Sequence, residues 1–64
     1  MSSVHVRVTF LLTDGQALAL AQFCKRVGWT EMRGCAADEF ETYLIREALG
    51  ELQTELADKG YAPR

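Results

Sequence analysis

The sequence predicts a small α+β domain, mostly helical, in which one N-terminal strand precedes two helices. Three observations lead to this prediction. Apolar and polar residues alternate strictly over 4–10, as in a half-buried β-strand. Segments 14–27 and 38–59 repeat apolar residues at helical spacing. The chain has 64 residues, enough for a single domain, 1–64, whose core is small enough that such domains often need a partner or a covalent staple.

Composition and charge indicate what kind of protein this is and where it could bind anions. With 48% apolar and 25% charged residues, the chain is typical of a folded, soluble protein and unlike a disordered one. The net charge of −2 is unevenly spread: four basic residues against two acidic ones give +2 over 1–35, and three against seven give −4 over 36–64. Any anion-binding surface is therefore expected in the first half.

The first element is a strand over residues 4–11. Three of its apolar residues are valines, and β-branched side chains suit a pleated sheet. Because successive strand side chains point to opposite faces, one face is expected to be buried and the other to meet solvent. The inward set is Val4, Val6, Val8 and Phe10, and the outward set is His5, Arg7 and Thr9.

The second element is a helix over 14–27. Thr13 is a suitable N-cap, and Gln16 follows three residues later, as in a capping box. Gly28 is expected to end the helix in a left-handed conformation. The apolar stripe of this helix comprises Leu20, Phe23, Cys24 and Val27.

A connection and a longer helix complete the chain. Thr30 can cap a single helical turn over 30–33. The last helix, 38–59, begins at the cap Asp38 and ends at Gly60, with Pro63 beyond. Its apolar stripe comprises Ile45, Leu49, Leu52 and Leu56.

A lone strand predicts a second chain. Each buried, unpaired backbone group costs about 1–3 kcal/mol, and no other segment has the pattern of a strand. We therefore expect an intertwined homodimer in which the strand pairs with its own copy as a two-stranded antiparallel ribbon. A monomer with an arm packed on helix 14–27 is the alternative. The predicted dimer core comprises Val4, Val6, Val8, Phe10, Ile45, Leu49 and Leu52.

The two cysteines indicate a cytoplasmic, reduced protein. Cys24 and Cys35 do not form a Cys-x-x-Cys pair, the N-terminus resembles no signal peptide, and no apolar run approaches the ~20 residues that span a membrane. A disulfide and a zinc site are alternatives, but zinc needs four ligands and His5 is the only histidine. We expect buried cysteines, no metal and no cofactor.

The arrangement of elements resembles the ribbon-helix-helix family of bacterial and phage repressors. Val6-Arg7-Val8 and Leu44-Ile45-Arg46-Glu47-Ala48-Leu49 match phrases of that family, and the resemblance spans 4–56. It implies a dimeric transcription regulator whose paired strands enter the major groove of double-stranded DNA. The implied readers of base edges are His5, Arg7 and Thr9. Where the family binds phosphate, at the start of its second helix, this chain carries Asp38, Glu39 and Glu41.

Two further phrases point to another group. Ala19-Leu20-Ala21-Gln22-Phe23 and Lys25-Arg26-Val27-Gly28-Trp29, together with the closing segment 60–64, are similar to a set of short uncharacterised bacterial and phage proteins. This resemblance covers nearly the whole chain and implies no activity.

Two functions follow as predictions. The first is the DNA-binding regulator. The second is a protein-interaction module, an accessory or inhibitory protein of phage or plasmid type that acts on a host protein; the acidic face of the last helix and Leu18, opposite the apolar stripe, favour it. We expect no enzyme, because the single histidine has no neighbouring acid or nucleophile in the sequence pattern.

Overall fold

The fold consists of three α-helices. The computed structural model describes residues 4–62. Helix α1 spans Asp14–Arg26, α2 spans Trp29–Cys35 and α3 spans Glu39–Asp58. Both α1 and α2 pack against α3. Residues 4–12 precede α1 without regular secondary structure and are called the N-terminal arm below.

The predicted fold class is wrong. Residues 4–11 do not form a strand, and the described part of the chain, 4–62, contains three helices and no strand. Alternation shows which side chains favour burial, but a strand also needs a neighbouring backbone to pair with its N–H and C=O groups. Helices take up most of the remaining described residues, so this part of the chain holds no such neighbour. The predictions of a two-stranded ribbon and of an α+β architecture are therefore wrong.

The start of α1 contains the predicted capping box. The Thr13 hydroxyl oxygen accepts a hydrogen bond from the Gln16 backbone N–H at 3.1 Å, and the Gln16 side-chain oxygen accepts from the Thr13 N–H at 2.9 Å. The end of α1 differs from the prediction. Val27 caps the helix, and Gly28 has a φ of −103° rather than a left-handed one. Gly28 is therefore the N-cap of α2 and does not end α1 in a left-handed conformation.

Helix α2 is longer than the predicted single turn over 30–33. It has seven residues and continues through Gly34 to Cys35. The Glu31 carboxylate accepts a hydrogen bond from the Gly28 N–H at 2.7 Å, so the cap is Gly28, two residues before the predicted cap Thr30. Trp29 then packs on Tyr43 of α3, with ring centroids 4.8 Å apart and planes tilted by 60°.

Helix α3 ends in a Schellman motif at Gly60. The Tyr61 N–H donates to the Leu56 carbonyl at 2.8 Å, and the Gly60 N–H donates to the Ala57 carbonyl at 3.0 Å. Gly60 has a φ of 101°, a conformation that favours glycine. At the other end, the Asp38 carboxylate accepts from the Glu41 N–H at 2.8 Å, as predicted for the cap. Pro63 lies outside the described residues.

The core of the chain is small. Ala17 and Ala21 of α1 meet Leu56 of α3, and partly buried apolar residues surround them. The partly buried set is Leu20, Leu52 and Tyr61. Five apolar residues are buried among residues 4–62. In the same range, Thr42 is the largest side chain that is fully buried, and its hydroxyl donates to the Asp38 carbonyl at 2.9 Å.

The three helices form a thin layer. Among the described residues, α1 and α2 each contact α3 but not each other, and the shortest extent is 15 Å against 28 and 35 Å along the other two axes. Stable domains bury the apolar face of one layer against a second layer. Here one layer stands alone, so its apolar face is covered only in part.

Candidate protein-interaction surface

An apolar groove lies between the three helices. It has a volume of about 690 Å³ and is called the central groove below. Phe23 comes from α1, Met32 from α2, and Ile45 and Leu49 from α3. Phe23 is 54% exposed although it stands on the helix face that was predicted to be buried. A large aromatic side chain is thus available in the groove.

A second groove lies where the N-terminal arm passes the end of α3. It has a volume of about 440 Å³ and is called the arm groove below. Residues 8–12 form one wall, and Leu52, Leu56 and Tyr61 line the remainder together with Glu55 and Lys59. The arm is therefore placed beside the second half of α3.

Both grooves follow the same stripe of α3. Ile45 and Leu49 line the central groove, whereas Leu52 and Leu56 line the arm groove. Their spacing of i, i+4, i+7 and i+11 places them on one helix face. The sequence predicted this stripe, but only Leu56 is buried and the other three are half-buried. We call this stripe with its two grooves the apolar face.

The predicted inward residues of the arm are exposed in the chain. Val4, Val6 and Val8 are 84%, 80% and 73% exposed, and Phe10 is 55% exposed. Their burial was expected because a strand over helices would cover them. Without the strand they meet solvent in the single chain, and their place in a dimer core stays a prediction.

The predicted DNA readers lie on the same arm. His5, Arg7 and Thr9 are all exposed, and residues 4–12 have no regular secondary structure. The described residues therefore do not present them on a ribbon. Their contact with DNA stays a prediction.

The start of α3 is already occupied by carboxylates. The Asp38 side chain accepts from the Glu41 N–H at 2.8 Å, and the Glu41 side chain accepts from the Ala37 N–H at 3.0 Å. Backbone N–H groups that donate to these carboxylates are not available to a phosphate. This end of α3 is a poor anion site.

The cysteines differ from each other. Cys24 is buried, as predicted, and its burial raises the pKa of its thiol. Cys35 is exposed and lines the central groove, so the prediction of two buried cysteines is wrong for this residue. It ends α2 and faces the groove rather than the core. Both thiols are free, and among residues 4–62 no group of three or more potential metal ligands occurs.

Sequence reasoning missed two features of the surface. Phe40 and Leu44, on either side of Tyr43 in the sequence of α3, are 65% and 48% exposed. Phe23 was assigned to the core because it fits the apolar spacing of α1. Spacing identifies the stripe, but it does not show how much of the stripe a thin layer leaves uncovered. Leu18 is 43% exposed, as its position opposite the stripe suggested. It lines neither groove.

The fold and its surface define a small three-helix domain with an apolar face along its longest helix. The chain belongs to DUF7706, a family of unknown function, whose family model matches residues 1–64. No curated protein matches the chain, and no solved structure matches it. The resemblance to ribbon-helix-helix repressors therefore stays a prediction. None of the helices described within 4–62 has the length and apolar character needed to cross a membrane.

Proposed function

We propose that the protein is an interaction module that binds another polypeptide through its apolar face. The observation that supports this most directly is the half-covered stripe of α3 inside a single layer of helices. Contiguous exposed apolar surface on a small domain is typical of a contact site. Aromatic side chains that become buried contribute much of the binding energy at such sites. Phe23 is an exposed aromatic side chain that lines the central groove.

Two substitutions on the same helix distinguish binding at the apolar face from non-specific binding to exposed apolar residues. Phe23 and Leu18 are both exposed apolar residues of α1, at 54% and 43%. Only Phe23 lines a groove. Phe23→Glu therefore places a charge on the apolar face, and Leu18→Glu places the same charge elsewhere. The two variants are matched in helix, in exposure and in charge.

The experiment is a capture assay with three immobilised forms of the chain. Wild type, Phe23→Glu and Leu18→Glu are each exposed to a bacterial lysate supplemented with untagged chain, and bound polypeptides are quantified by mass spectrometry. We expect at least one polypeptide, the untagged chain included, to bind stoichiometrically to wild type and Leu18→Glu but not to Phe23→Glu. If no polypeptide binding depends on Phe23, the proposal is wrong.

A second candidate function is DNA binding through His5, Arg7 and Thr9. The observation that favours it is that all three side chains are exposed and lie in the half of the chain that carries the positive charge. The carboxylates at the start of α3 oppose it. Affinity would then depend on few phosphate contacts and be low.

The test of this second candidate is a titration of labelled duplex DNA at low salt. Fluorescence anisotropy is measured for wild type, Arg7→Ala and, as a control for a basic residue outside the arm, Arg33→Ala. DNA binding through the arm predicts a loss of affinity in Arg7→Ala that exceeds the loss in Arg33→Ala. Equal affinities of all three proteins would exclude it.

A further inference from the structure

We propose that the occupant of the apolar face is a second copy of this chain, in a two-fold dimer that places the N-terminal arm of each copy against the other. This inference rests on the proposed function, because it names the partner of the same surface.

The chain exposes more surface than a monomer of its mass should. Its accessible surface is 5478 Å² for 7.2 kDa. Folded monomers of this mass expose about 4,100 Å², so the excess is roughly a third of the expected surface. Stable interfaces bury about 800 Å² per partner, and obligate homodimers bury more. The excess is therefore about what one chain loses to a second in an obligate dimer.

Because the helices form a single layer, the surface that a second copy would bury is the apolar face of that layer. A second copy placed face to face adds a second layer of helices, which gives the two-layer architecture that domains need around a core. The stripe Ile45–Leu49–Leu52 is half-buried in one copy and would be enclosed between two. A two-fold axis brings the same face of both copies together, so one apolar stripe supplies both sides of the core.

The N-terminal arm needs cover that its own chain does not give. Residues 8–12 line the arm groove, but Val4 and Val6 lie farther along the arm and are 84% and 80% exposed. The part of the arm that precedes the groove therefore carries exposed apolar side chains, which a neighbouring copy could cover. The partner copy buries these valines without any further segment of the same chain.

The charges at the central groove favour a copy of itself over an unrelated partner. Arg26 and Glu31 both line this groove, so the apolar floor carries one positive and one negative side chain. A surface that bears both signs is self-complementary under a two-fold rotation, which can set Arg26 of one copy near Glu31 of the other. A strongly charged partner would be attracted by only one of the two.

Sedimentation equilibrium from about 1 to 300 µM tests the inference with the intact chain. We expect wild type to approach twice the 7.2 kDa chain mass. Phe23→Glu should raise the dissociation constant by roughly 30-fold or more, the effect of a central side chain at an interface. Leu18→Glu should change it by less than about threefold, as expected for a residue outside the contact. Circular dichroism at 222 nm confirms that each variant keeps its helices.

If Phe23→Glu loses its helices, Phe23→Ala takes its place, because it shortens the side chain without adding a charge. A wild-type monomer at every concentration overturns the inference. So does a dimer that Leu18→Glu dissociates and Phe23→Glu leaves intact, or an assembly of three or more copies. In the monomer case, Phe23-dependent capture of a different polypeptide would still support the proposed function, so the two claims fail separately.

Discussion

The Tyr61 hydroxyl donates a hydrogen bond to the Asp14 carboxylate, which joins the segment that follows α3 to the first residue of α1. Tyr61 also packs against the Ala17–Ala21–Leu56 core and lines the arm groove. The Schellman motif at Gly60 directs Tyr61 back onto the helix. The contact with Asp14 thus adds to the core packing and the Schellman motif in positioning Tyr61 at the arm groove.

This contact predicts a late ionisation of Tyr61. The hydrogen bond to Asp14, with smaller contributions from partial burial and from the carboxylate charge, raises the pKa of Tyr61 above its usual value near 10. Its contribution to stability is therefore fully present below pH ~10 and is lost as pH rises through the raised pKa. In a Tyr43→Phe background, absorbance at 295 nm follows Tyr61 alone. Asp14→Asn should lower the midpoint, and an unchanged midpoint would show that the contact does not form in solution.

The capping box at Thr13 predicts a specific loss of stability. Thr13→Ala removes the oxygen that accepts from the Gln16 N–H, so the free energy of unfolding should fall by about 1 kcal/mol. Thr30→Ala is the matched control, because Thr30 is exposed and follows the residue that begins α2 rather than capping it. It should change stability by less than about 0.5 kcal/mol. Urea denaturation measures both, and equal losses would contradict the assignment of the caps.

Two glycines should respond to alanine in opposite directions. Gly60→Ala forces a side chain into the left-handed region at φ 101°, and we expect a loss of about 1 kcal/mol. Gly50 lies inside α3 with nothing within 4 Å of a Cβ built there. Gly50→Ala should therefore raise the free energy of unfolding by up to about 1 kcal/mol. A loss of stability in Gly50→Ala would mean that another chain approaches the helix closely at this position.

The buried hydroxyl of Thr42 should matter more than an exposed one in the same geometry. Thr42 and Thr54 each donate to the carbonyl four residues earlier, at 2.9 and 3.0 Å, but only Thr42 is fully buried. Thr42→Val removes the buried hydroxyl that donates to the Asp38 carbonyl, and we expect a loss of about 1 kcal/mol. Thr54→Val should lie within about 0.5 kcal/mol of wild type. The difference between their thermal midpoints checks this, and no difference would contradict it.

Local signals in the sequence predicted local structure. Thr13 and Gln16 identified a capping box, Asp38 identified the start of α3, and Gly60 identified its end, because each of these motifs depends on residues within one turn of the helix. The stripe from Ile45 to Leu56 follows from helical periodicity in the same way. These features need no knowledge of the rest of the fold.

Features that depend on distant partners were predicted poorly. The alternation from Val4 to Phe10 indicated a strand, but a strand requires a neighbouring backbone that residues 4–62 do not supply. The start of α2 depends on the Glu31 carboxylate, which accepts a hydrogen bond from the Gly28 N–H. The predicted turn ended at Arg33, but the helix continues through Gly34 to Cys35. The exposure of Phe23 depends on how thin the helical layer is, which periodicity does not report.

The most direct test of the contact surface uses Cys35, the exposed thiol of the central groove. In a Cys24→Ala background, its rate of modification by a maleimide is measured from about 1 to 300 µM protein, beside a Leu18→Cys, Cys35→Ser control that carries its thiol outside the grooves. If a second copy covers the apolar face, the Cys35 rate constant falls as the dimer forms and the control rate stays constant. A Cys35 rate constant that is independent of protein concentration, while sedimentation shows a dimer, would contradict the account.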